Sequence, residues 1–279
     1  MKRFLVALVL FALFGLSSGV VAQTNILDGV YIKEHPSERK FIPYTYLREA
    51  DVMWSKRIWR KMDLTQKMNH VFYYPKDNIQ GRKSLMKVIY DGIVEDGTLV
   101  PYADVNDGDF SEVMTKANIV AMLNRMDTSY VPDPENPDNT IQKIYEVKFQ
   151  PSSVKEFKIK EDWFFDKQRS VMDVRIIGIC PVMEEEKNGS VRKKSLFWIY
   201  FPEARVVFAN SEVYNRQNDA ERRTIEDLFW KRQFSSFIYK ESNVYDRLIQ
   251  DYREGMDALA ESEKIKEDIF NVEHDLWEF

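Results

Sequence analysis

Phe157-Lys158-Ile159-Lys160-Glu161-Asp162-Trp163-Phe164-Phe165, followed by Asp166 to Ser170 and then Val171-Met172-Asp173-Val174-Arg175-Ile176-Ile177-Gly178-Ile179-Cys180, is the stretch on which the fold turns. Phe157 and Ile159 alternate with Lys158 and Lys160, and Trp163-Phe164-Phe165 continues the run. Such alternation puts one set of side chains on each face of a strand. Lys167 to Ser170 is polar and suits a turn, and Val171 to Cys180 then reads as the returning strand of a hairpin. Pro181, which has no amide hydrogen to give to a ladder, is expected to end that strand.

Outward from the hairpin, Tyr145, Val147 and Phe149 alternate with Glu146 and Lys148. Downstream, Glu184 to Ser190 forms a charged loop around the turn pair Asn188-Gly189. Ser195 to Phe201 reads as the next strand and Val206 to Ala209 as a further short extended piece. These make an antiparallel or mixed sheet of about four or five strands. Residues 129–141 carry three Pro among Asp and Asn, the composition of a linker or long loop and the best domain boundary.

Before that boundary the patterns read as helical. Trp54, Ile58, Trp59 and Met62 fall at i, i+4, i+5 and i+8, one face of a helix starting near Arg48. Lys56, Arg57, Arg60 and Lys61 occupy the rest, either as a solvated face over two core tryptophans or as a face for a partner. Arg82 to Ile93 is a second helix with the stripe Leu85, Val88, Ile89 and Ile93, ending near Asp96. Ser111 to Leu123 is a third, with Val113, Met114 and Ala117 inward. After the sheet, Asn218 to Trp230 turns helical. Phe234 to Tyr239 is its extension or an extended link. Val244 to about Lys266 is a final helix on Leu248, Tyr252, Met256 and Leu259. Phe270 and Trp277 to Phe279 are apolar residues in an acidic tail, which tucks back or inserts into a partner.

The expected fold class is therefore α+β: a helical N-terminal part, then a small antiparallel or mixed sheet packed with C-terminal helices. Its expected organisation is a signal peptide over 1–22, an extended arm over 23–47, a mainly helical region over 48–128, the linker over 129–141, and an α+β region with helix and acidic tail over 142–279. The signal reading rests on basic Lys2 and Arg3, an apolar Phe4 to Leu16 too short to span a bilayer, and small residues before Gln23. The remainder has no apolar run of spanning length, so an exported, soluble product is expected.

Composition narrows the function. The 279 residues are 44 % hydrophobic and 30 % charged, with a net charge of -5, as in a globular chain. Residues 23–279 keep 38 Lys and Arg against 45 Asp and Glu, a net charge of -7. No general electrostatic pull toward nucleic acid exists. One Cys and three His exclude a disulfide framework and a cysteine-rich zinc site. Cys180 sits in an apolar run and reads as a buried thiol. His35, His70 and His274 have no His or Cys near them in sequence. HExxH, the phosphate-binding Gly-rich loops and GxSxG are all absent. No catalytic residue, cofactor or metal is expected. The one enzymatic alternative is the Glu161, Asp162 and Asp166 cluster around Trp163-Phe164-Phe165, which could serve an envelope hydrolase or a glycan- or peptide-binding module. Aromatic weight, with 6 Trp, 14 Tyr and 18 Phe, points instead to contact surfaces. Candidate contact residues are Trp54, Arg57, Trp59, Arg60, Trp163, Phe165 and Trp277.

Several stretches carry a resemblance as an ordered set. They are Ala50 to Arg60, Glu161 to Gln168, Val174 to Ile179, Phe197-Trp198-Ile199-Tyr200-Phe201-Pro202, Asp227 to Arg232, Phe234-Ser235-Ser236 and Ser242 to Arg247. In this order they resemble the GldN/PorN family of gliding motility proteins, over about residues 45 to 252. The resemblance implies a periplasmic part of the type IX secretion system of Bacteroidota. It implies a ring built with an outer-membrane lipoprotein of the GldK/PorK type, contact with GldM/PorM-like periplasmic domains, and no catalytic activity. The lipid anchor would belong to the partner, which suits a chain with no Cys directly after its apolar leader.

Overall fold

The computed structural model describes residues 39–132, 140–187, 190–218 and 220–277. The signal segment, arm residues 23–38 and the Asn188-Gly189 turn pair lie outside the described residues, as do the last two residues of the tail.

The Phe157 hairpin is present, and the sheet is built on it. Strand β1 spans Val52–Asp63, β2 Pro101–Tyr102, β3 Arg125–Pro132, β4 Thr140–Val147, β5 Val154–Asp166 and β6 Val171–Lys187. Strand β7 spans Ser190–Ser195, β8 Trp198–Tyr200, β9 Glu212–Val213, β10 Arg223–Thr224 and β11 Phe237–Glu241. The main sheet runs β11-β1-β5-β6-β8-β2, with β7 paired to β6; every pairing is antiparallel. Helix α1 is His70–Tyr73, α2 Leu85–Val94, α3 Lys116–Leu123, α4 Phe201–Ala209, α5 Ile225–Trp230 and α6 Gly255–Trp277. The class is α+β, as expected.

The largest departure from the sequence reading is Arg48 to Met62. Glu49–Asp51 is a single 3-10 turn and Val52–Asp63 is strand β1, paired between β11 and β5, not a helix. Ile58 and Trp59 are both buried, yet neighbouring residues of a strand face opposite ways. Ile58 packs with Ile238, Ile249, Ile265 and Ile269, while Trp59 packs with Cys180, Trp198 and Tyr239. A strand covered on both sides carries apolar residues at consecutive positions, and Trp54, Ile58, Trp59 and Met62 then mimic a helical stripe.

One face of the sheet meets α2, α4 and α5. Phe157, Ile159, Ile176 and Ile179 pack there against Leu85, Ile89, Phe201, Phe208 and Phe229. The α2 stripe is the one read from sequence, and Ser84 caps its first turn by accepting from Lys87 N. The other face is covered by the loop after β2. Phe110 lies over Gly178, where an added Cβ would come within 2.5 Å of its ring.

Other boundaries move for local reasons. The third helix starts at Lys116, because Thr115 caps it, and Val113 bridges Tyr102 instead of facing inward. Its buried residues are Ile119 and Leu123. Val206 to Ala209 belongs to α4, whose first turn holds Pro202, a start signal for a helix. Helix α5 begins at Ile225, where Thr224 and Asp227 form a capping box. Phe237 to Glu241 is extended and closes one side of the sheet. Val244 to Asp251 is not continuous helix: Asn243 Oδ1 accepts from Tyr245 N and Arg247 N, and Asp246 has φ +48°. The long helix starts at Gly255 and buries Ser262, Ile265 and Ile269, leaving Met256 and Leu259 exposed.

Pro181 does not end β6. The Leu196 amide donates to Pro181 O at 3.0 Å, and β6 passes from β8 at Ile179 to β7 at Val182. The N and O of one strand residue face the same neighbour, so the missing donor falls where β8 hands over to β7. Residues 125–132 and 140–147 pair as a separate two-stranded sheet, so the Pro- and Asp-rich stretch is flanked by strands that take up both its ends.

Candidate protein-contact site

Strand β1 distributes the candidate residues to opposite faces. Arg57 pairs with Asp162 directly across the β1–β5 ladder, with Nε–Oδ1 at 2.6 Å and Nη2–Oδ2 at 2.7 Å. That fork-to-fork hydrogen bond raises the pKa of Arg57. Trp59 is only 7 % exposed; its Nε1 donates to Asp107 O at 3.1 Å. Lys240 Nζ sits 4.9 Å and Lys160 Nζ 5.7 Å from its ring centre. Trp59 is therefore a core residue, and its place among contact residues is corrected. Phe165 is likewise buried, opposite Trp54, which is half-buried against the α6 cluster. Trp277 is the last residue of α6, and its side chain lies outside the described set.

The structure does bring Arg60 and Trp163 together. Both line a groove along the flank of α6, whose two connected hollows measure about 510 and 390 Å³. Behind it lies Glu161, fully buried in mid-strand. Arg232 Nη2 donates to its two oxygens at 2.9 and 3.0 Å, and Trp163 Nε1 donates to Oε2 at 3.1 Å. Arg60 Nη1 donates to Ser236 Oγ at 3.1 Å. Arg60 Nε is 3.3 Å from Glu161 Oε2 but has no hydrogen-bond partner. Desolvation lowers the Arg60 pKa from its usual value, with Glu161 opposing. Arg232 takes φ +51°, a costly backbone for a non-glycine, and its guanidinium covers the Trp163 ring at 5.4 Å. Met68, 55 % exposed, and Phe270, 64 % exposed, stand on the groove's lining.

The three carboxylates considered for hydrolysis do not converge. Glu161 faces Arg60 and Arg232; Asp162, on the other face of β5, is held by Arg57. Asp166 binds Arg169 Nε at 2.7 Å and the amides of Gln168 and Arg169, which hold its carboxyl below the usual range. Each negative charge has its own cation, and no two are poised to share a proton. Among the described residues no group of His, Cys, Asp and Glu could hold a metal ion. Burial pushes the Cys180 thiol up, and desolvation is the main cause.

Arm residues 39–45 are not free. Arg205, 1 % exposed, donates to Glu226 Oε1 through Nε at 2.9 Å and Nη2 at 2.5 Å, and to Ile42 O at 2.5 Å. The rings of Phe41, Tyr44 and Trp230 surround its guanidinium at 4.8, 4.3 and 5.0 Å. Arg39 adds an ion pair to Asp227 at 2.8 Å, and Arg175 Nη2 donates to Thr45 O at 2.6 Å. Sequence reasoning missed Arg205 and Arg232. The only signal for either was a buried acid, Glu226 or Glu161, in need of a cation, and that burial is not visible in the chain order.

Residues 47–278 match the model of the family described as gliding motility associated protein GldN. No curated protein matches the chain. Among the described residues no helix is long and apolar enough to cross a membrane.

Proposed function

The chain belongs to the family of gliding motility associated protein GldN, and from that membership we propose that it is a non-enzymatic scaffold component of the type IX secretion and gliding machinery. The observation that carries this reading is the reach of the match, 47–278, which takes in the whole main sheet and all of α6. The chain works in the periplasm, held beneath the outer membrane by a lipoprotein of the GldK/PorK type, with which it builds a ring. GldM/PorM-like periplasmic domains meet that ring. The paired carboxylates support the non-catalytic part of the reading, since a hydrolase of the two-carboxylate kind needs one acid held protonated opposite a second.

A ring of identical copies needs two different surfaces on each copy that close by rotation. Affinity purification of the tagged chain from detergent-solubilised envelope, with mass spectrometry of what accompanies it, tests the proposal. Recovery of a lipoprotein in near-equal amount within a very large particle is the expected result. A monodisperse monomer without a partner would sink it.

A further inference from the structure

Asn243 to Asp246, just after β11, is a tight turn in which Asp246 N donates to Asn243 O at 3.2 Å. The Asn243 side chain fixes it. Its Oδ1 accepts from Tyr245 N and Arg247 N at 3.1 and 3.2 Å, and its Nδ2 donates to Glu241 O and Arg247 O, each at 3.0 Å. Asp246 takes φ +48° and pairs with Lys240 at 2.8 Å. Arg247 lies over the rings of Tyr245 and Tyr252. The corners of such turns ordinarily carry Gly, Pro, Asn, Asp or Ser. Here they carry Val244, 97 % exposed, and Tyr245, 76 % exposed. A strained, heavily hydrogen-bonded turn thus holds two apolar side chains in water, where they add nothing to the core. Rigidity of this kind lowers the ordering cost of binding.

A receptor for this knob lies at the opposite corner of the same sheet. A hollow of about 610 Å³ opens between the foot of β3–β4 and the β6–β7 hairpin. Met122, Met126 and Met183 line it, and methionine side chains adapt to the shape of a guest. Of the two acids on its wall, Glu184 is held by Lys155 at 2.8 Å. Glu185, Lys148 and Lys194 make no ion pair among the described residues. Arg247 and Asp246, beside Tyr245, bring the opposite charges to them. The turn cannot fill the hollow of its own copy. Ser242 N donates to Arg57 O, and Arg57 stands opposite Asp162 on β5, whereas Met183 stands opposite Val154. Eight residues of β5 separate those points, about 26 Å along the strand. We propose that the Val244–Tyr245 turn of one copy seats in the methionine-lined hollow of the next. The contact is heterologous, knob to hollow, so it propagates from copy to copy. It rests on the scaffold reading and names the two surfaces that a ring requires.

Cysteine cross-linking of the full chain tests this, because Cys180 is buried and stays out of the reaction. A Val244→Cys/Met126→Cys double variant, oxidised in the envelope complex, should give a ladder of multiples, and neither single variant should. Closure within one copy, or no cross-link, overturns the proposal. Val244→Asp places a charge on a side chain that the fold leaves in water. Its urea midpoint should match the parent's, while self-association falls by about tenfold in sedimentation. Loss of the lipoprotein from a particle of unchanged size overturns the proposal and assigns the turn to that partner instead. A Val244→Asp chain that keeps both the large particle and the lipoprotein removes only this contact and leaves the scaffold standing. A parent chain that is itself a lone monomer removes the scaffold reading.

Discussion

Trp59 Nε1 donates a hydrogen bond to the backbone oxygen of Asp107 at 3.1 Å, tying the centre of β1 to the loop that covers it. The same loop is held by Lys160 Nζ, which donates to Gly108 O at 2.5 Å, and by Lys240 Nζ, 2.9 Å from Asp107 Oδ2. Asn106, Asp107 and Phe110 all take positive φ there, so the loop stores backbone strain that these ties offset.

Trp59→Ala should therefore act on the fold. It removes a buried ring and leaves Asp107 O without its donor, a loss of about 3–5 kcal/mol. Urea unfolding followed by circular dichroism measures it. A change below about 1 kcal/mol would show that the ring contributes little to the core.

Gly108→Ala tests the strained loop. Gly108 has φ +82°, and an added Cβ would lie 2.6 Å from the Trp198 ring. That ring cannot swing aside freely, since its Nε1 donates to Asp104 Oδ1 at 2.6 Å. The expected cost is about 1–3 kcal/mol, with a changed near-ultraviolet dichroism. An unaltered spectrum and midpoint would contradict the packing described.

Arg205→Met should release the arm. Glu226 would remain buried without its cation, at a cost of about 3–5 kcal/mol, and Phe41 and Tyr44 would lose the charge they enclose. Brief chymotrypsin digestion, read by mass spectrometry, should then cut after Phe41 and Tyr44 much faster than in the parent chain. Equal cleavage rates would mean that the arm is held by other contacts.

Acid stability should depend on Asp166. Hydrogen bonds from Arg169 and from two backbone amides depress its folded pKa. Its contribution is therefore complete above the unfolded value of about 3.9 and fades as pH falls through the lower folded value. Unfolding midpoints measured between about pH 5 and pH 2 should fall less steeply in Asp166→Asn than in the parent. Parallel curves would rule out that linkage.

Cys180 should be silent in the native protein. It is buried between the sheet and its covering loop, and burial raises its pKa, so little thiolate exists at neutral pH. A colorimetric thiol reagent should give no signal until denaturant is added, then one equivalent. A prompt native reaction would show that the covering loop opens readily.

The order of residues was enough to determine the hairpin at Phe157 to Cys180, the α2 stripe, the α+β class and the family. These depend on short-range alternation, helical spacing and an ordered set of local words, all properties of the chain itself. Only the tertiary structure decided that Val52 to Asp63 is a strand. Trp54, Ile58, Trp59 and Met62 satisfy a period of 3.6 residues because the strand is covered on both faces, and coverage is supplied by segments far away in the chain, α6 and the loop after β2. The same holds for Arg205 with Glu226 and Arg232 with Glu161. A basic residue is written identically whether it is solvated or buried, and its partner lies 21 residues away in one pair and 71 in the other. Local pattern sets what each segment can form; burial, which depends on what packs over it, selects among those forms.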